Sequence, residues 1–213
     1  MEIALPGGDR HAHTDGVIPL LPVADMDDEH LVDALASAPR RSTAHRELLR
    51  RGRSAVPAIQ AGLGHAEEDV REQCCRLLDQ LLVEEALDGL VAMLNDLSPK
   101  VRVAALHALA CERCKQDACR PSEAAVLPPA TRLLRGDPDA HVRAMAVELV
   151  ASFAHSRQEA VEALIEAREH DPSPTVRKKA GWYAPGGVIH RRTAPRAGRA
   201  TRRRAARSGM PSD

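Results

Sequence analysis

The stretch DPDAHVRAMAVELV (137–150) decides the fold, because the chain repeats its phrase: an aspartate, then Val-Arg five residues later, opening a short apolar helix. The phrase returns as DLSPKVRVAALHALA (96–110) and DPSPTVRKKAGWY (171–183). A fourth version, HAEEDVREQCCRLL (65–78), puts His65 where the aspartate stands elsewhere. The valines Val70, Val101, Val142 and Val176 lie 31, 41 and 34 residues apart. Self-similarity at 20 to 50 residues marks a stack of like units, each burying its apolar face against a neighbour.

Aligned on those valines, Cys74, Ala105, Ala146 and Ala180 fall four residues on, and Leu78, Leu109 and Val150 eight residues on. These positions share one helix face, with a small residue at its middle that lets two helices approach closely. Ser98, Asp139 and Ser173 precede the valine by three as N-cap candidates. Pro99 and Pro174 take the first helical position, where a missing N–H costs nothing. The spacing predicts second helices near 68–82, 99–111, 140–153 and 174–183, and first helices near 55–63, 84–94, 123–135 and 158–169. A degenerate first pair begins at Asp27, runs through Leu31, Val32 and Leu35, then Leu48 and Leu49, and stops at Gly52. The expected fold is all-α: an α-solenoid of four clear helix pairs and one degenerate N-terminal pair.

Composition agrees. The 213 residues are 44% hydrophobic with one Phe, one Tyr and one Trp, so small and unbranched apolar residues must make the core, as close-packed helices require. Formal charge sums to zero but is unevenly placed. Residues 1–186 are net acidic; residues 187–213 carry Arg191, Arg192, Arg196, Arg199, Arg202, Arg203, Arg204 and Arg207 against Asp213 alone. No apolar run reaches membrane-spanning length and no Lys/Arg-led apolar leader opens the chain, so the expectation is a cytoplasmic protein away from membranes. Three segments result: an irregular N-terminal leader over 1–24, a repeat domain over 25–185, and a basic, disordered tail over 186–213. The leader holds His11-Ala12-His13-Thr14-Asp15; two-metal hydrolase chemistry would need a strand behind that loop, and none is predicted.

Two-helix units carrying Asp, then Val-Arg, then a small apolar residue resemble HEAT repeats, in the short form of phycobilisome-lyase-type HEAT-like proteins, over about residues 55–183. The resemblance implies a ladder between adjacent repeats built from the turn aspartate and the arginine six residues on: Asp96 and Arg102, Asp137 and Arg143, Asp171 and Arg177. A carboxylate near a helix N-terminus is favoured by the dipole, and arginine can bridge it bidentately to the next repeat. His65 interrupts this ladder. The resemblance also implies a protein-binding scaffold with second helices lining the concave side. There the positions two, six and nine after each valine form a candidate binding face: Glu72, Arg76, Asp79, His107, Glu148, Lys178 and Trp182. Trp182 and Tyr183 read either as an exposed hot spot or as the cap of the last repeat.

The 41-residue interval is longer than its neighbours, and the excess falls at CERCKQDACRP (111–121). Cys111, Cys114 and Cys119, with His107 one turn before Cys111, have the donor types of a closed structural zinc site. Inert reduced thiols and a redox-active pair activated by Arg113 and Lys115 are the competing readings. Cys74 and Cys75 follow the buried seam and read as core. Nothing in the sequence assembles a catalytic constellation, and no cofactor other than that zinc is implied. The expected function is a non-catalytic scaffold whose partner is another protein. The alternatives are nucleic-acid contact through the arginine-rich tail and an accessory role beside a bilin-lyase-like enzyme. Mixed charge on the binding face and the absence of interleaved aromatics in the tail argue against base stacking.

Overall fold

The computed structural model describes residues 22–110 and 121–195. They hold eleven α-helices, in five antiparallel pairs and one closing helix. The first pair is α1 (Asp28–Ala34) with α2 (Ala38–Arg51), and the second α3 (Val56–Ala61) with α4 (Glu68–Leu81). The third is α5 (Leu87–Ala92) with α6 (Pro99–Ala110), the fourth α7 (Glu123–Gly136) with α8 (Ala140–Ala151), and the fifth α9 (Gln158–His170) with α10 (Pro174–Tyr183). Second helices pack in sequence, α2 on α4, α4 on α6, α6 on α8 and α8 on α10, which makes the molecule an all-α solenoid. No strand occurs among the described residues.

The seam read from the sequence is the core. Val70, Val101, Val142 and Val176 are fully buried, as are Cys74, Ala105, Ala146 and Ala180; Leu78, Leu109 and Val150 are nearly so. Each buried Val or Leu is worth about 1.5–3 kcal/mol relative to exposure. Single helix pairs cannot bury these faces alone, so stability comes from stacking. Close approach is visible at Gly62, where a Cβ would lie 2.6 Å from the Cys74 sulfur and 2.7 Å from a Val32 methyl. The degenerate first pair ends at Gly52, whose positive φ of 65° breaks α2.

The ladder exists with a different pairing from the one the resemblance implied. Arg71, Arg102 and Arg143 each donate bidentately to the aspartate of the following pair, not to the turn residue six before, and Arg177 donates to the backbone carbonyls of Asp171 and Pro172. Arg71 bonds Asp96 at 2.7 and 3.0 Å, Arg102 bonds Asp137 at 2.8 and 2.9 Å, and Arg143 bonds Asp171 at 2.8 and 3.1 Å. Toward its own turn the same guanidinium gives only Nη1, to two backbone carbonyls, as Arg143 does with Asp137 O and Pro138 O. The geometry follows from reach: six residues back along the chain lie the last carbonyls before the helix, while the fork edge faces the neighbouring pair.

The aspartates also take over capping. Asp96, Asp137 and Asp171 accept the N–H two residues on, from Ser98, Asp139 and Ser173. Asp139 additionally caps α8 through the N–H groups of His141 and Val142, as expected. Ser173 makes no side-chain cap bond. At the interrupted repeat His65 stands in for the aspartate, its Nδ1 accepting the Glu67 N–H at 3.0 Å. The preceding arginine, Arg41, reaches past it to Asp69 at 2.6 Å.

Both ends differ from the expected segment boundaries. Val23–Asp25 forms a 3-10 turn, and Arg51 donates to the Met26 carbonyl beside it at 2.6 Å. The stretch expected to be disordered from 186 begins instead with α11 (Val188–Thr193). Gly186 turns with φ 81°, and Gly187 packs so closely that a Cβ there would lie 2.4 Å from the carbonyl oxygens of Gly181 and Trp182. Loss of the 3.6-residue apolar period hid this helix, because it is six residues long and held by side-chain contacts rather than by an apolar stripe.

Candidate functional site

The inner face of the second helices carries the candidate site. Along it, charges pair from one helix to the next. Asp69 and Lys100 stand one residue before their valines, and Lys100 also takes Glu68 at 2.8 Å. One turn of stagger joins the others: Glu148 on α8 meets Lys179 on α10 at 2.7 Å, and Asp79 on α4 faces His107 on α6 at 3.6 Å. Lys100 lowers the pKa of both Glu68 and Asp69 through its hydrogen bonds. Much of the charge expected to meet a partner is therefore neutralised within the face, and Arg76 folds back on Glu72 at 2.7 Å. The exposed tips that remain are Arg76, His107, Lys178 and Trp182, with the Lys178 ammonium 5.6 Å from the Trp182 ring centroid.

Two open pockets interrupt this face. One, about 470 Å³, lies between α2 and α4 over His45, Gln73, Arg76 and Gln80. Burial lowers the pKa of His45 there, with Nδ1 3.0 Å from the Gln73 carbonyl oxygen and Nε2 3.3 Å from the Gln80 amide nitrogen. The other, about 560 Å³, is walled by His107, Glu148, Ser152, His155, Tyr183 and Thr193, so that α6, α8, α10 and α11 all contribute. Helix α11 is its outer wall. His155 donates from Nε2 to Thr193 Oγ1 at 3.0 Å and lies against His190, ring centroids 4.3 Å apart. The Thr193 hydroxyl donates a hydrogen bond to the Ile189 carbonyl at 3.0 Å. Burial and the neighbouring His155 hold His190 below the ordinary histidine pKa.

The sequence-derived binding face is thus brought together in pieces. Asp79 with His107, Glu72 with Arg76, and Lys178 with Trp182 are neighbours; Glu148 joins Lys179 instead of facing outward alone. Sequence reasoning missed Lys100, Lys179, the His45–Gln73–Gln80 group and the whole α11 wall. Aligning the residue before each valine would have found Asp69 opposite Lys100. Tyr183 is half-buried against the core, while Trp182 is 41% exposed, so the two aromatics divide the roles of cap and surface residue.

Cys111, Cys114 and Cys119 lie outside the described residues. Among the described residues no group of three or more His, Cys, Asp or Glu side chains could hold a metal ion, and His107 turns toward Asp79. Cys74 and Cys75 are buried free thiols, and burial pushes Cys74 up to about 12 and Cys75 higher, which makes both inert core residues. No helix among the described residues is long and apolar enough to cross a membrane.

A family model described as HEAT repeats matches residues 87–184. Among solved structures, the complex of CpcE and CpcF of phycocyanin lyase from Nostoc sp. PCC7120 is similar at TM-score 0.57 and 21% identity, over 72% of this chain and 95% of that one. A designed armadillo repeat protein in complex with the peptide (KR)4 is similar at TM-score 0.50 and 23% identity, over 74% and 80% of the two chains. These likenesses concern the fold. No curated protein matches the sequence.

Proposed function

We propose that this HEAT-repeat protein is a non-catalytic scaffold that holds a segment of another protein along its second helices, with one side chain anchored in the pocket beneath α11. The observation that carries the reading is that pocket: about 560 Å³, open to the face, lined by apolar and polar groups from four helices. Concave sites with a few placed polar groups in an apolar wall are where recognition concentrates. Glu148 and Ser152 offer hydrogen-bond acceptors and Arg192 offers donors to an anchoring side chain, and Tyr183 and Ile189 supply apolar wall. Lys100 and Lys179 on this face are paired with carboxylates, which leaves the face mixed in charge and favours a protein segment over a phosphate backbone. Repeat folds whose solved likenesses include a two-subunit lyase complex and a peptide-bound array support a binding role of this kind.

Affinity capture with Ser152→Trp tests the reading. The indole fills the pocket from an exposed position at the end of α8. Proteins captured by the wild type and by an exposed-surface control, Glu159→Lys, should be lost from the Ser152→Trp sample. Identical capture by all three would refute pocket-based binding.

A further inference from the structure

With the inner face read, as above, as the seat of a protein segment, we infer that the pocket between α2 and α4 receives the carboxylate of an aspartate or glutamate of that segment, held by Arg46 and Arg76. Arg41 fixes the register. It donates to the carbonyls of Leu35 and Ala36, six and five residues back, as Arg71 does to those of His65 and Ala66. Counted five residues on from the arginine at the start of each second helix, the inner-face positions are therefore Arg46, Arg76, His107, Glu148 and Trp182. Arg46 belongs to the binding face, although α2 has no Val-Arg to reveal it.

Helical spacing makes this pocket a meeting of two stripes. On α2, His45 and Arg46 stand one turn after Arg41 and Ser42; on α4, Arg76 stands between Gln73 and Gln80. The space between the stripes is about 470 Å³ and opens onto the face. Its walls carry three arginines, a histidine, two amides and a hydroxyl, and no carboxylate, whereas Glu148 lines the pocket beneath α11. Hydrogen-bond donors that converge without an acidic partner of their own suit an anionic guest.

The three arginines are not equally occupied. Arg41 is committed to Asp69 at 2.6 Å, and Lys100 holds Asp69 as well. Arg46 is exposed and has no carboxylate partner among the described residues. Arg76 has Glu72, one turn back on its own helix, whose Oε1 takes both Nε at 3.0 Å and Nη2 at 2.7 Å. With the Arg76 side chain 58% exposed, such a pair contributes little and exchanges readily for a better placed carboxylate, so Glu72 is a placeholder. Arg76 also faces His45, where its charge adds to burial in lowering the imidazole pKa; the pocket carries an excess of positive potential. That excess is one pocket wide. Further along the face Lys100 is engaged by Glu68 and Asp69, Lys179 by Glu148, and Asp79 faces His107, whereas a phosphate backbone needs a continuous basic track. Two arginine forks with amide donors beside them match the planar carboxylate of one acidic residue.

The test titrates the full-length protein with an acetylated, amidated peptide of alternating Glu and Ser, and with its Gln-and-Ser counterpart, while NMR follows the histidine rings, His45→Gln assigning the His45 signal. At millimolar concentration the Glu peptide should raise the His45 pKa by about half a unit or more, since a carboxylate beside the ring favours the imidazolium, and the Gln peptide should leave it in place. Arg46→Gln and Arg76→Gln should each weaken binding at least about fivefold, while Arg53→Gln, the same charge change on the exposed turn after α2, should not. Glu72→Gln should tighten binding about two- to threefold by releasing Arg76, a gain that misfolding cannot mimic. An unmoved His45, equal response to the Gln peptide, or binding indifferent to Arg46→Gln and Arg76→Gln would overturn the inference. So would tighter binding of an oligothymidylate of equal charge through the same two arginines, since the guest would then be a phosphate backbone. Capture insensitive to Ser152→Trp beside an intact Glu-peptide response would refute the pocket beneath α11 and keep this one; a missing response beside Ser152→Trp-sensitive capture would do the reverse.

Discussion

Replacing Arg143 with alanine should be among the most costly substitutions available outside the apolar core. Arg143 is 7% exposed and donates four hydrogen bonds, two to Asp171 and two to the carbonyls of Asp137 and Pro138. Its partner Asp171 is as deeply buried, so truncation leaves a carboxylate charge without its counterion. Removing one member of such a pair costs about 3–5 kcal/mol. The lower end applies here, because Asp171 keeps the Ser173 N–H at 2.7 Å and water can enter the space left at the turn. About 3 kcal/mol corresponds to a melting temperature lower by roughly 6–12 °C for a chain of this size. Arg177→Ala supplies the internal control: it removes the same side chain from the same register where no aspartate is paired, and the lost bonds to two carbonyls, at an end of the stack open to water, amount to about 1–2 kcal/mol. Guanidinium denaturation followed by far-UV circular dichroism measures both. Adding Asp171→Asn to Arg143→Ala should recover at least about 1 kcal/mol by removing the orphaned charge. If Arg143→Ala costs no more than Arg177→Ala, the ladder contributes nothing to stability and the reasoning fails.

Gly62→Ala should destabilise by about 1–3 kcal/mol, since its methyl must displace Cys74 and Val32, while Gly64→Ala, with open space around it, should stay within about 0.5 kcal/mol; denaturation midpoints compare them. Cys74 and Cys75 should resist a thiol reagent at pH 8 in the native protein and react once denaturant is added, with peptide mapping by mass spectrometry identifying the sites; modification of either in the native state would contradict their burial. Acidification should loosen α11. His190 has a pKa lowered from 6.5 in the folded state, so protonation favours the undocked helix: docking is complete above about pH 6.5 and weakens as pH falls through the lowered folded value. Amide exchange of residues 188–193, corrected for its intrinsic pH dependence, should accelerate between about pH 7 and pH 5. Unchanged protection would remove histidine from the docking account.

The periodic features of this protein were legible in the sequence because periodicity is what a solenoid is. Val70, Val101, Val142 and Val176 set the register, and every seam position counted from them is buried. The limits of the first pair, the prolines at the helix starts and the breaking role of Gly52 also followed, since each rests on local backbone chemistry. What the sequence could not assign is who meets whom across pairs. An arginine six residues after an aspartate looks like that aspartate's partner, yet Arg143 pairs with Asp171, because the stacking distance between pairs, not distance along the chain, decides which carboxylate the fork can reach. The same holds for His65, whose ring accepts the Glu67 N–H in place of an aspartate, and for Lys179 with Glu148, a pairing that depends on one turn of stagger between neighbouring helices. The pocket under α11 was the least legible of all. It exists because His155, Thr193 and His190 meet across 35 residues and more, and because Gly187 lacks a side chain at the contact with α10. None of those residues belongs to a repeating position, so only the tertiary structure could bring them to one wall.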